Sequence, residues 1–174
     1  MNSFVTDDKW QKQMRDEYLV PWYKKHATDG RFVLLDKGRF SETVQRRLAA
    51  DTIVQSEDGN AVAIEEKIVR WKGRTYTAIC AETNSCTLPG LESPGWTQYG
   101  QFDYLMYCLQ TEPGDLYAMI IRGPEFLAWF NQRVESFPVF QMSTQNKTTG
   151  RLVPIDQLSE SKLITWRGLI TKSQ

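Results

Sequence analysis

The pattern of apolar and polar positions predicts two helices in the first third of the chain. The apolar residues of DDKWQKQMRDEYLVPWYKKH recur at helical spacing, which indicates a helix near the N-terminus. Pro21 is expected to break or restart it, because proline lacks the backbone donor. A short second helix is expected over SETVQRRLAAD, with Ser41 as its N-cap.

Runs of β-branched and aromatic residues predict strands in the middle of the chain. Three successive strands are predicted over DTIVQ, AVAIEEKIVRW and TYTAICAET, the first two joined by the hairpin-type turn SEDGN. Two more are predicted over DYLMYCL and DLYAMIIR, and a helix over GPEFLAWFNQRV. The remainder reads as less regular. This order predicts one α/β or α+β domain over residues 1–174, with a mixed central sheet flanked by helices.

Composition excludes several classes of protein. Lys plus Arg number 21 and Asp plus Glu number 21, so the chain has no net positive charge of the kind that favours binding to nucleic acid. Residues 121–174 are locally basic. Three cysteines, an odd count, argue against a disulfide framework, and a single histidine excludes a histidine-rich metal site. The chain shows no signal-peptide core and no apolar run of about 20 residues, which predicts a cytoplasmic protein without membrane contact.

Three adjacent charges, Glu65, Glu66 and Lys67, lie in the middle of a predicted strand. They cost strand stability unless something uses them. Side chains alternate along a strand, so Glu65 and Lys67 point to one face and Glu66 to the other. Asp51 opens the preceding strand, and the hairpin can bring it beside Glu65 and Lys67 at one sheet edge.

Neighbouring carboxylates repel, which raises a pKa or recruits a cation, and oxygen ligands suit Mg²⁺ or Mn²⁺. We therefore expect Asp51, Glu65 and Glu66 as metal ligands. Lys67 would orient or help deprotonate a water, or stabilise a pentavalent phosphate, which is phosphodiester hydrolysis chemistry. The alternative is that these charges form a solvated patch on a half-exposed strand.

The order of Asp51, Glu65 and Lys67 resembles the active-site motif of the PD-(D/E)xK, or restriction-endonuclease-like, nucleases. That resemblance implies an α-β-β-β-α-β core over about residues 35–135, with an N-terminal helical segment and a basic C-terminal extension. No proline precedes Asp51, where Ala49 and Ala50 stand. A further stretch is similar to small phage and bacterial members at Glu82, Asn84, Gly95, Trp96, Asp103 and Tyr104.

The resemblance implies further site residues. Members often carry a Glu or Gln on the helix before the Asp, which makes Gln45 a catalytic candidate ahead of Glu42. Glu82 would be a more distant ligand, or else a cap or salt-bridge partner. Five basic residues flank the site in sequence and could contact phosphates, although each is also an ordinary surface charge: Arg46, Arg47, Arg70, Lys72 and Arg74.

The leading hypothesis is a metal-dependent nuclease that uses Mg²⁺ or Mn²⁺ and acts on nucleic acid, DNA ahead of RNA. The alternative is a non-catalytic nucleic-acid- or protein-binding module of the same fold, such as a phage protein that engages a host factor. The neutral net charge favours this alternative. Nucleases that cut both strands often dimerise, so a homodimer stays open. The loop over 84–95 is expected to rim the cleft, and Trp71 and Trp96 are expected to pack in the core rather than stack on bases.

Overall fold

The structure, a computed structural model, describes residues 3–26, 50–55, 59–70, 73, 76–111, 114–141 and 147–172. Several predicted features lie outside these ranges. They are most of the helix over SETVQRRLAAD and the candidate residues Glu42, Gln45, Arg46, Arg47, Trp71, Lys72 and Arg74.

The N-terminal segment is helical through Pro21. Helix α1 covers Ser3–Met14, a π-helical turn covers Arg15–Leu19, and α2 covers Val20–His26. Of the two expectations for Pro21, a break or a restart, the structure fits the restart, because α2 begins at Val20 directly after the π turn. A proline ring in a helix clashes with the carbonyl of the residue four positions earlier, which here is Glu17, inside the wide π turn.

Strands dominate the rest of the described chain. They are β1 Thr52–Gln55, β2 Ala61–Val69, β3 Ala78–Cys86, β4 Ser93–Pro94, β5 Tyr104–Gln110, β6 Leu116–Arg122, β7 Val139–Gln141, β8 Thr149–Pro154 and β9 Ile164–Ile170. The helices among them are α3 Trp96–Tyr99, α4 Gly123–Asn131, the 3₁₀ turn Val134–Ser136, and α5 Ile155–Glu160. Within the ranges given above, no helix is long and apolar enough to cross a membrane.

The strands form two sheets, which confirms the α+β class. The large sheet has the order β1-β2-β5-β6-β9 and is mixed, because β2 and β5 run parallel while the other pairs are antiparallel. The small sheet has the order β4-β3-β8-β7 and is antiparallel. Strand β3 follows β2 in sequence but pairs in the small sheet. The segment after α4, expected to be irregular, supplies β7, β8, α5 and the edge strand β9.

Both faces of the large sheet are covered. On one face, Ile64 and Ile68 of β2 pack with Tyr18, Leu19 and other residues of the N-terminal helix. On the other face, Ala63 joins a cluster that includes residues of the small sheet, α4 and α5. Successive residues of β2 therefore enter different layers, since a strand alternates its side chains.

Candidate functional site

The β1–β2 hairpin fixes Asp51 at the start of its first strand. The amide of Asp51 donates to the carbonyl of Ile64 at 2.9 Å, which extends the pairing of β1 with β2 by one residue. The Oδ2 atom of Asp51 accepts a hydrogen bond from the amide of Glu66 at 3.0 Å. Main chain and side chain of Asp51 are thus both held against β2.

A cleft of about 220 Å³ opens where the hairpin meets β3 and α3. One wall comes from the hairpin and the residue before it, and the other comes from β3 and α3. The lining residues are Ala50, Asp51, Glu65, Lys67, Glu82, Ser85, Trp96 and Tyr99. The structure thus brings Asp51, Glu65 and Lys67 together, as the alternation along β2 and the hairpin predict.

Lys67 and Glu65 form an ion pair inside this cleft. The Nζ atom of Lys67 lies 2.6 Å from Oε1 of Glu65, and the side chains are 34% and 5% exposed, respectively. Burial raises the pKa of Glu65 to about 8; Lys67 opposes this rise, while the charge and hydrogen bond of Asp51 add to it. Below that pH the carboxyl of Glu65 favours its protonated form, in which the contact with Lys67 is a hydrogen bond rather than an ion pair.

The ammonium group of Lys67 stays charged. Burial alone would lower its pKa, but the carboxylates of Glu65 and Asp51, and to a smaller degree Glu82, raise the pKa above its ordinary value. Lys67 is therefore suited to neutralise developing negative charge, and poorly suited to act as a general base near neutral pH.

The second wall of the cleft depends on an irregularity in β3. The register of β3 against β8 shifts between Glu82 and Asn84. A bulge of this kind re-aims side chains, and here both Glu82 and Ser85 line the cleft although they are three positions apart. The hydroxyl of Ser85 lies 2.6 Å from Oε1 of Glu82 and 3.0 Å from the carbonyl of Pro94. The sequence pattern gave no signal for Ser85, because a bulge interrupts simple alternation.

The short helix α3 is pressed against β3. The amide of Gly95 donates to the carbonyl of Thr83 at 2.8 Å, and a Cβ at Gly95 would clash with the carbonyl oxygen of Glu82. Thr97 anchors the helix further by donating to the carbonyl of Glu82 at 2.6 Å. Glycine is needed at this close approach, which is a physical reason for the Gly-Trp pair noted in the sequence.

Tyr99, on the last turn of α3, is a cleft residue that sequence reasoning missed. Its side chain lines the cleft and is 39% exposed. Burial raises the pKa of its phenol, and the charge of Glu65 adds to that rise. Tyr99 therefore remains a protonated hydrogen-bond donor at the cleft mouth. Its position depends on the packing of α3 on β3, which local sequence does not encode.

The other residues of the family-like stretch have structural positions. Trp96 is 2% exposed and packs against Phe102 and Phe126, with ring centroids 5.8 Å and 6.0 Å away, so the expected core packing is confirmed. Oδ2 of Asp103 accepts from the amide of Ala63 at 2.8 Å and thereby ties β5 to β2. Oδ1 of Asn84 accepts from Thr149 at 3.2 Å. Tyr104 begins β5 beside Ile64.

Glu66 lies on the opposite face of β2, away from the cleft. Its carboxylate pairs with Arg15 at 3.1 Å and accepts hydrogen bonds from Thr52 at 2.5 Å and Tyr23 at 3.0 Å. This corrects the assignment of Glu66 as a ligand of the same cation as Asp51 and Glu65. The alternation that joins Glu65 to Lys67 is the reason, since it turns Glu66 into the layer beneath the N-terminal helix.

The described basic residues are partly engaged within the protein. The guanidinium of Arg70 lies 4.5 Å from the ring centroid of Trp10. In the basic C-terminal part, Arg151 pairs with Glu135 at 2.8 Å and Lys172 with Glu17 at 2.9 Å. Phosphate contacts by Arg70 and its neighbours in sequence stay a prediction.

The donor set of the cleft fits a divalent cation held by few protein ligands. Within the described ranges, no group of three or more His, Cys, Asp or Glu side chains has the arrangement of a metal site. Asp51 and Glu65 nevertheless both line the cleft, and the nearby charge of Asp51 adds to the raised pKa of Glu65, which favours a proton on that carboxyl. A cation can replace that proton, and Mg²⁺ commonly takes one or two carboxylates and keeps several waters.

Comparison of the chain with protein-family models, curated proteins and solved structures found no match. The resemblance to PD-(D/E)xK nucleases is therefore carried by the order and spacing of the quoted residues alone. A fold does not specify an activity, so the function has to be inferred from the chemistry of the cleft.

Proposed function

We propose that the protein is a metal-dependent nuclease that hydrolyses phosphodiester bonds at the cleft. One observation carries the proposal: Asp51, Glu65 and Lys67 line one cleft that is open to solvent, and the ammonium of Lys67 lies 2.6 Å from Glu65. Burying such charges costs free energy. Strongly perturbed titrating groups in a cleft are typical of functional sites.

Asp51 and Glu65 are the residues that would hold Mg²⁺ or Mn²⁺, since both cations prefer carboxylate oxygen. When bound, the ion would polarise a phosphoryl oxygen and lower the pKa of a water. Lys67 must release Glu65 for this to occur. Its long, 34% exposed side chain allows such a movement.

The chain's own residues supply the remaining chemistry. Lys67 carries a permanent positive charge that would stabilise the extra negative charge of a pentavalent phosphate. Tyr99 offers a neutral hydroxyl donor from the opposite wall. Glu82, held by Ser85, adds a carboxylate whose negative charge favours a cation in the cleft over a free phosphate.

Substrate and location belong to the same proposal. DNA is placed ahead of RNA on the resemblance to small phage and bacterial nucleases. A cytoplasmic location is supported by the free thiols of Cys80, Cys86 and Cys108, since cysteines stay reduced in that compartment.

The test combines metal binding with cleavage. Wild type should melt at a higher temperature in millimolar Mg²⁺ or Mn²⁺, because a ligand of the folded state stabilises it. It should also cut at least one of three substrates: single-stranded DNA, double-stranded DNA or RNA. Asp51→Asn should lose both properties. The control Glu125→Gln, an exposed carboxylate paired only loosely with Arg122 at 4.0 Å, should keep them. A wild type that cuts none of the substrates in either metal contradicts the proposal.

A non-catalytic binding module is the second candidate. It is favoured by the Lys67–Glu65 pair, in which the ammonium occupies one carboxyl without a metal. The net charge of zero favours it as well. In that case neither metal should shift the melting temperature, and an oligonucleotide or a protein partner should bind without being cut. Fluorescence anisotropy with labelled oligonucleotides separates the two candidates.

A further inference from the structure

The face of β2 opposite the cleft carries a sealed polar network. The carboxylate of Glu66 is contacted by Arg15 at 3.1 Å, Thr52 at 2.5 Å and Tyr23 at 3.0 Å, and Arg15 also donates to Thr52 at 2.7 Å. Four polar or charged residues other than tyrosine are buried in the described chain, and Thr52 and Glu66 are two of them. The name back-face network is used below for the four residues that contact one another here: Arg15, Tyr23, Thr52 and Glu66.

The back-face network includes a residue that is adjacent in sequence to each candidate residue of the hairpin wall. Thr52 follows Asp51 directly, and Glu66 stands between Glu65 and Lys67. Side chains alternate along a strand. Holding Thr52 and Glu66 on one face therefore also holds their sequence neighbours on the cleft face. The link is also direct, because the amide of Glu66 donates to Oδ2 of Asp51 at 3.0 Å.

Stability alone does not account for this arrangement. Replacing a buried ion pair by well-packed apolar residues is often neutral or stabilising, so such a pair is weak evidence of a stabilising role. Arg15, moreover, begins the π-helical turn Arg15–Leu19, and π turns inside helices occur frequently at functional sites. Arg15 therefore both pairs with Glu66 and begins the irregular turn of the helix.

We propose that Arg15 and Glu66, with Tyr23 and Thr52, are positioning residues that hold the Asp51 carboxylate in place through the Glu66 amide. The N-terminal helix is then a part of the site, although none of its described side chains lines the cleft. The metal-binding part of the test rests on the proposed function, whereas the amide hydrogen bond is independent of it.

The experiment uses the full chain with three changes. Arg15→Met removes the charge partner, and Tyr23→Phe removes a single hydroxyl and keeps the ring. Glu17→Gln is the matched control, because Glu17 lies on the same π turn but pairs with Lys172 at the surface, at 2.9 Å. All are measured below their melting temperatures.

The first readout is the proton chemical shift of the Glu66 amide in metal-free protein. Asp51→Asn sets the reference for a weakened hydrogen bond. Arg15→Met and Tyr23→Phe should move the amide in the same direction, with the larger movement in Arg15→Met, and Glu17→Gln should not. If Arg15→Met does not fold, Tyr23→Phe decides. Folded network variants with a wild-type amide shift overturn the proposal.

The second readout is the Mn²⁺ dissociation constant from calorimetry. Residues that orient metal ligands typically change affinity about 10–100-fold when replaced, and we expect a loss in that range for Arg15→Met. Glu17→Gln should bind as wild type does. Equal affinity in wild type and Arg15→Met overturns the positioning role. Wild type that binds no Mn²⁺ contradicts the proposed function instead, and the amide shift then decides this inference.

Discussion

Each face of β2 carries a glutamate paired with a basic residue, but one pair lies in an open cleft and the other is enclosed by the protein. On the cleft face, Glu65 pairs with Lys67 at 2.6 Å beside Asp51, and the cleft is open to solvent. On the other face, Glu66 pairs with Arg15 at 3.1 Å and is closed in by Thr52 and Tyr23. Burial raises the pKa of both glutamates and the charge of Asp51 adds to both rises, but of the two only Glu65 lies in the cleft with Asp51.

That difference separates two uses of a buried charge. Glu66 pairs with Arg15 and accepts hydrogen bonds from Thr52 and Tyr23, and all three partners oppose the rise in its pKa that burial causes. Glu65 faces one cation and one competing carboxylate, so its charge is unsatisfied until an external cation or a proton arrives. Several partners within the protein favour a rigid position for the Glu66 carboxylate. The Glu65 carboxyl has fewer such partners, which favours binding of an external cation.

The largest expected effect is on stability at Glu66. Removing one partner of a buried ion pair typically costs about 3–5 kcal/mol, because the other charge remains buried and unpaired. We expect Glu66→Ala to lower the free energy of unfolding by about that amount, measured by urea denaturation. Glu65→Gln should cost little or stabilise the metal-free protein, since it relieves the contact with Asp51. Equal losses of unfolding free energy in the Glu66→Ala and Glu65→Gln variants would contradict the difference between the two faces.

The next effect is on catalysis at Lys67. Loss of one preorganised electrostatic stabiliser commonly lowers the rate on the order of 10²–10³-fold. Lys67→Met should lower kcat by about that factor and bind Mn²⁺ at least as tightly as wild type, because the competing ammonium is gone. Lys172→Met, which removes a surface lysine, is the control. A Lys67→Met variant that cleaves as wild type does would show that its charge is not used.

The pH dependence of stability follows from the Glu65 carboxyl. Its folded pKa is raised from 4.5 to about 8, so the folded state holds a proton that the unfolded state releases. The contribution of Glu65 is therefore fully present below pH 4.5 and is lost as the pH rises toward about 8. The difference in unfolding free energy between wild type and Glu65→Gln should fall across this window. A difference that is constant with pH contradicts the raised pKa.

The smallest effect is expected at Tyr99. A neutral hydrogen bond contributes about 1 kcal/mol net, so Tyr99→Phe should reduce kcat/KM by roughly fivefold. Tyr99→Leu, which also removes the ring, separates the hydroxyl from packing of α3. If Tyr99→Phe matches wild type and Tyr99→Leu does not, the ring and not the donor is what the cleft uses.

Local sequence determined the elements that carry the cleft face. Helical spacing located the N-terminal helix, and the turn between two β-branched runs located the hairpin. Period-2 alternation then placed Glu65 and Lys67 together and Glu66 apart. These features depend on interactions between residues close in sequence, which a pattern can express. The strands and helix after α4 were missed, because their short runs lack a clear period.

The tertiary structure alone decided what surrounds β2. It paired β3 with β8 rather than with β2, which set Glu82, Ser85 and Tyr99 across the cleft, and it laid Arg15 against Glu66. Sheet membership and ion-pair partners depend on contacts between residues far apart in the chain. Their free energy comes from packing and burial of whole elements, which no short stretch of sequence contains.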